Sequence, residues 1–174
     1  FMKNQDQLFI LPEQYLKLFD YFELIYSNYK TYSIKIENAL IGKTDLSPLF
    51  NEVVDAHLFS PSLFNLCNPM LKRLKEKGFE IDGFYYSFEN NTPEKQFILS
   101  CRKYFHGSKL VAFQHTTFFP NQLAYHLGHG EAEFHPLPDK IVCSGPIYKE
   151  LFEKSRFPKN ILVSGPNLRF GAVH

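Results

Sequence analysis

Tryptophan is absent from the 174 residues, and only three cysteines occur, at 67, 101 and 143. Three widely spaced cysteines make neither a zinc pattern nor a disulfide framework, so a reducing compartment is expected. Excess charge is missing too: 19 Lys and Arg stand against 18 Asp and Glu, a formal net charge of +1. That balance lacks the electrostatic footprint of a nucleic-acid binder. No apolar run approaches the roughly 20 residues of a membrane helix. The opening FMKNQDQLFILPEQ has no long apolar core, so no signal peptide is expected. HExxH, GxGxxG and GxxxxGK[ST] do not occur, which removes the common zinc-protease and nucleotide signatures.

What is present is a chain with 44% hydrophobic residues, 19 Phe and 10 Tyr, enough for one domain with a sizeable core. Tyr15, Leu18, Phe19, Phe22, Ile25, Tyr26 and Tyr29 recur at helical spacing and predict an amphipathic helix from Pro12 to about Asn28. Tyr32, Ile34 and Ile36 alternate and fit either a short strand or a continued helix. A turn over 42–48 leads to a helix through Leu49, Phe50, Val53, Val54 and His57, capped by Asp45 or Ser47. Another follows Pro69 and stops at Gly78. From residue 81 the period changes. Strands are predicted at 81–88, 110–113, 141–143 and 161–163. Helices are predicted at 92–106, with Thr92 as N-cap and Pro93 at N1, and at 147–154. This alternation predicts an α/β fold: a Rossmann-like three-layer α/β/α domain with a mainly parallel sheet. Residues 1–80 read as a helical part packed on the same single domain, and 81–174 as its βαβ-βαβ portion. DKIVCSGP and KNILVSGP, 20 residues apart, echo one another as successive β-α units.

In parallel sheets ligands bind beyond the carboxyl ends of the strands. Glu89 follows the first strand of the series, Gln114 and His115 the second, Ser144 and Gly145 the third, Ser164 and Gly165 the fourth. A carboxylate and an imidazole gathered there can act as base, acid or hydrogen-bond donor. The plainer alternative is that Glu89 caps the following helix and His115 bonds a loop. Five of the seven His lie between 106 and 135. His126, His129 and His135, with Glu131 and Glu133, offer metal-ligand atoms, but their spacing fits no closed zinc pattern. This segment reads instead as a flexible loop over the cleft that contacts substrate or a partner domain.

YYSFENNTPEKQFIL, LVAFQHTTFFPNQLAY and PLPDKIVCSGPIYKELFEKSRFPKNILVSGPNLRF resemble bacterial surface-carbohydrate biosynthesis proteins, glycosyltransferase-like and of the two-domain GT-B type. The resemblance spans about residues 81 to 170. It matches Glu89 and Glu94, Gln114 and His115, Pro136, Pro138 and Asp139, Gly145, then Leu168, Arg169 and Phe170. Pro93 departs from it, since the family has an aromatic residue there. The resemblance implies transfer of a sugar from a nucleotide sugar to a glycan or lipid-linked acceptor, in capsule or O-antigen synthesis. Glu89 and His115 would be catalytic. Glu94, Gln114, Ser144, Gly145, Gly165 and Arg169 would bind substrate. No metal and no cofactor beyond the donor itself are implied. The expected location is cytoplasmic, with peripheral contact to the inner membrane. Phe1 precedes Met2, and the second nucleotide-sugar domain of the family is not in the sequence, so the chain is expected to be the acceptor-side N-terminal domain of a longer protein, inactive alone. A non-catalytic glycan- or partner-binding module and a sugar-nucleotide epimerase fragment are the alternatives.

Overall fold

The computed structural model describes residues 12–32, 35–58, 66–117, 119 and 121–166. The chain divides into two compact units, Phe1–Arg73 and Leu74–His174. The division falls inside a helix, not at the change of period near residue 80.

In the first unit a 3₁₀ turn, Pro12–Tyr15, precedes helix α1, Leu18–Tyr32. The proline at the start serves the short turn, and the longer helix begins later than the spacing predicts. Strands β1, Leu40–Ile41, and β2, Thr44–Asp45, form a small antiparallel hairpin over Gly42, whose φ of 62° suits glycine. Helix α2, Ser47–Leu58, starts where Asp45 and Ser47 predict: Asp45 Oδ1 accepts from Ser47 N at 2.9 Å. Asn51 holds the preceding segment, its side chain bonding both N and O of Ile36. Helix α3, Cys67–Glu76, stops before Gly78, at φ 81°. Of residues 32–36, read as either a short strand or a continued helix, Tyr32 continues and ends α1, Ile34 lies outside the described residues and Ile36 is in no strand.

The second unit is α/β. Strands β3 (Gly83–Phe88), β4 (Lys109–Gln114), β5 (Lys140–Ser144) and β6 (Leu162–Gly165) form one parallel sheet in the order β3-β4-β5-β6. Helices α4 (Thr92–Tyr104) and α5 (Pro146–Lys154) flank it, consistent with the Rossmann-like three-layer plan. Phe97 of α4 stacks edge-on against Phe84 and Tyr86, at 5.5 and 5.4 Å, and Phe152 of α5 meets Phe88 at 5.8 Å. Tyr85 and Val163 point the other way and are exposed.

The N-cap of α4 is Asn91, not Thr92. Asn91 Oδ1 accepts from Glu94 N at 3.1 Å, with Thr92 and Pro93 as the first two helical residues. This is an Asn N-cap whose Glu94 carboxylate turns to Glu89 N and Asn90 N, not back to Asn91 N, and Pro at the second position wastes no donor. The helix ends at Tyr104, short of Gly107.

The core gathers Phe88, Ala112, Ile141, Cys143 and Leu162 from the four strands, with Phe152 and Phe157. Burial pushes the Cys143 thiol up to about 11, which keeps it a neutral hydrophobe. Tyr125 and Leu127 join the same core from the connection between β4 and β5. That segment, expected to be a flexible loop, is anchored by these two buried side chains. At the N-terminal ends of the strands, Asp139 ties the layers together. It takes Arg102 of α4 through both oxygens, at 2.6 and 3.2 Å, and accepts from Leu110 N at 2.7 Å.

Candidate functional site

Strand register brings the predicted residues together. Phe88 pairs with Gln114, Phe113 with Val142, and Ser144 with Gly165. Glu89, His115, Ser144 and Gly165 therefore come out in one row at the carboxyl edge of the sheet. Within that row Glu89 Oε1 lies 3.0 Å from His115 Nε2. The two side chains remain 45% and 35% exposed, so the pair is reachable from solvent. Glu89 Oε2 accepts from Asn91 Nδ2 at 3.1 Å, which orients the carboxylate.

The other nitrogen, His115 Nδ1, is buried and has no hydrogen-bond partner. A carboxylate only accepts, so the ring carries its proton on Nε2 when neutral. Its basic lone pair then sits on the buried Nδ1, out of reach of a substrate. The accessible basic atoms of the pair are the oxygens of Glu89.

Tyr125 sets the spacing of this pair. Its hydroxyl lies 2.9 Å from Thr116 Oγ1 and donates to Phe88 O at 3.3 Å. Those residues adjoin His115 and Glu89. The ring is held in an aromatic cluster, 5.5 Å from Phe152 and 6.2 Å from Phe88. Position in the β4–β5 connection hid this residue from sequence reasoning, because a single Tyr in an irregular connection shows no periodicity.

Glu94 lies one step behind the pair. Its oxygens accept from Glu89 N and Asn90 N at 2.6 and 2.9 Å. Burial raises its pKa to about 7, against the pull of those two N–H groups and with help from the charge on Glu89. Both oxygens are thus used inside the β3–α4 turn that presents Glu89. Gln114 is equally engaged: Oε1 accepts from Ser144 N at 3.0 Å, and Nε2 donates to Thr116 O at 3.1 Å. Ser144 Oγ returns a bond to Gln114 O at 3.0 Å. This clamp fastens the ends of β4 and β5.

Gly145, at φ 103°, is the N-cap of α5 and gives no side-chain cap, while Pro146 removes the next donor. Gly165 is required by packing, since a Cβ there would overlap Cγ1 of Val142. Arg169 lies outside the described residues.

Asn90 is a further residue of the site that sequence reasoning passed over. It is buried, adopts φ 54°, and donates from Nδ2 to Ala124 O at 2.5 Å. Its Oδ1 meets His135 Nε2 at 2.7 Å, and His135 Nδ1 meets Glu131 Oε1 at 3.0 Å. Asn is the non-glycine residue that best tolerates the left-handed conformation, so Glu-Asn-Asn after a strand is a legible turn signal. Both nitrogens of His135 are engaged, which takes it out of any metal set with His126 and His129. Among the described residues no group of three or more His, Cys, Asp or Glu could hold a metal ion.

Concavities of about 460 and 280 Å³ open at the other edge of the sheet, around His106, Gly107 and Ser108. In the larger one Arg102 and Asp139 pair with each other, and Lys140 Nζ donates to Asn160 O at 2.7 Å. The predicted polar residues gather instead at the carboxyl edge, where parallel sheets tend to bind ligands. Among the described residues no helix is long and apolar enough to cross a membrane. Comparison with protein-family models, curated proteins and solved structures finds no match to this chain.

Proposed function

We propose that this chain is the acceptor-side domain of a glycosyltransferase-like protein of bacterial surface-polysaccharide synthesis, with Glu89 as the base. The Glu89–His115 contact at the carboxyl edge carries the reading. A solvent-reachable carboxylate, oriented by one imidazole N–H and one amide, is suited to take the proton of a sugar hydroxyl. In transfer, that hydroxyl oxygen attacks the anomeric carbon, the bond to the nucleoside diphosphate breaks, and the proton passes to Glu89. His115 steadies the carboxylate through Nε2. A second domain facing this edge would hold the nucleotide sugar. Gln114 and Ser144 hold the floor on which the acceptor lies.

The reading has two tests. The chain alone, titrated calorimetrically, binds a glycan acceptor but not a nucleotide sugar. In a protein that carries both domains, Glu89→Ala with His115→Ala abolishes transfer to the acceptor. Unaltered transfer by that double variant removes both residues as catalysts.

A further inference from the structure

Helix α1 is turned the wrong way round for a helix on a solvated surface. Its charged Asp20 is buried, and its apolar stripe faces out. Asp20 takes Arg73 through both oxygens, at 2.5 and 2.6 Å, and Arg73 also donates to Tyr15 O. On the outward side, Leu18, Phe19, Phe22, Ile25, Tyr26 and Tyr29 are each 60 to 80% exposed. A lone exposed apolar residue means little, but six on one face mark an interaction surface.

The spacing of the stripe says what fits it. Leu18, Phe22, Ile25 and Tyr29 follow one another at intervals of four, three and four, the a/d seam of a heptad. Phe19 and Tyr26 widen that seam to the face of a bundle helix. We infer that α1 is a dimerisation helix, whose stripe packs against α1 of a second copy of this chain across a two-fold axis.

Three observations favour a second copy over other occupants. The six residues include no charge, so the surface is compatible with itself, as an isologous interface requires. Large side chains bury about 150–250 Å² each, so six at this exposure supply roughly 800 Å², the share one partner gives to a standard interface. Helix α2, which packs on α1, also exposes Leu49, Phe50 and Val53. Two helices from each copy would complete a four-helix arrangement. A lipid surface would call for cations along the stripe. Here the flanking charges are Lys17, Glu23 and Lys30, of mixed sign and not a basic face, with Lys30 Nζ seated 5.0 Å from the Tyr26 ring.

Sedimentation velocity of the full chain, from about 1 to 100 μM, tests this. A concentration-dependent dimer is expected. Phe22→Glu with Ile25→Glu should raise its dissociation constant by more than about 100-fold while far-UV circular dichroism is kept. Tyr85→Glu, exposed on the sheet, should leave the dimer unchanged. A wild-type monomer throughout, including one that co-sediments with anionic vesicles, overturns the inference. So does a dimer that survives the double variant. Should that variant fail to fold, Phe22→Ala with Tyr29→Ala trims the stripe without adding charge. It must still weaken association by at least about tenfold, and an unchanged constant overturns the inference.

Discussion

His135 Nε2 lies 2.7 Å from Oδ1 of Asn90, forty-five residues earlier in the chain. Asn90 Nδ2 is already spent on a carbonyl, so its oxygen must accept. Glu131 faces the other ring nitrogen and also only accepts. Two acceptors favour the doubly protonated ring. Burial opposes it, with Lys95 adding to the effect, and the His135 pKa is held below its ordinary value. The side chain is nearly enclosed, so burial outweighs the exposed Glu131. The neutral ring keeps its strong bond to Asn90.

Removing this support should cost stability at the turn that presents Glu89. His135→Ala leaves Asn90 Oδ1 buried without a partner, an expected loss of about 1–3 kcal/mol. Asn90→Ala should be worse than Asn90→Gly, because only the latter accepts φ 54° without strain. Urea denaturation of the three variants gives the ranking.

Two groups in this corner set opposite pH limits. The folded pKa of Glu94 is raised, so its contribution is complete below the unfolded value near 4.5 and is lost as pH climbs through about 7. The size of that loss is at most about 3 kcal/mol. The folded pKa of His135 is lowered, so its contribution is present above about 6.5 and is lost as pH falls below that. Melting temperature against pH should flatten between 4.5 and 7 in Glu94→Gln. A wild-type slope retained in that variant would assign the effect elsewhere.

In the proposed reaction, Glu89→Ala should lower kcat by about 10²–10⁴-fold in a protein that carries both proposed domains. Its half-exposed side chain predicts little loss of stability, within about 0.5 kcal/mol. His115→Ala should cost less activity than Glu89→Ala, because its free nitrogen is buried away from the substrate. Steady-state kinetics on both variants, with thermal melts alongside, measures the difference.

Gly165→Ala should destabilise by about 1–3 kcal/mol through overlap with Val142, whose branched side chain cannot swing clear. Val142→Ala in the same molecule should recover part of that loss, a coupling that a double-mutant cycle detects.

Much of the carboxyl edge was readable because alternation and strand polarity are local. Apolar runs at 81–88, 110–113, 141–143 and 161–163 located four strands, and the residue after each end was a candidate by rule. Glu89 and His115 came together on that basis alone. The first-turn proline at 93 likewise announced α4, though the cap fell one residue earlier, where Asn91 Oδ1 accepts from Glu94 N. What escaped were contacts between residues far apart in the chain. Nothing near Tyr125 says that its hydroxyl spans Phe88 and Thr116. Nothing near His135 says that it rests on Asn90, and the loop reading of its segment carries no such contact.

The chain's own pattern thus settled the α/β class, the order of strands and helices, and the edge at which polar groups gather. These follow from side-chain period, turn residues and the one-directional packing of βαβ units, all short-range. Tertiary packing decided which polar groups remain available there. Glu94, Gln114 and Ser144 are drawn into bonds with the backbone and with one another, because a buried polar group must find a partner. Glu89 keeps reachable basic atoms, whereas the free nitrogen of His115 is turned inward. Packing likewise decided that α1 hides Asp20 and shows its apolar side. Period locates that stripe but carries no sign, and the Arg73 contact that pulls the opposite face inward is long-range.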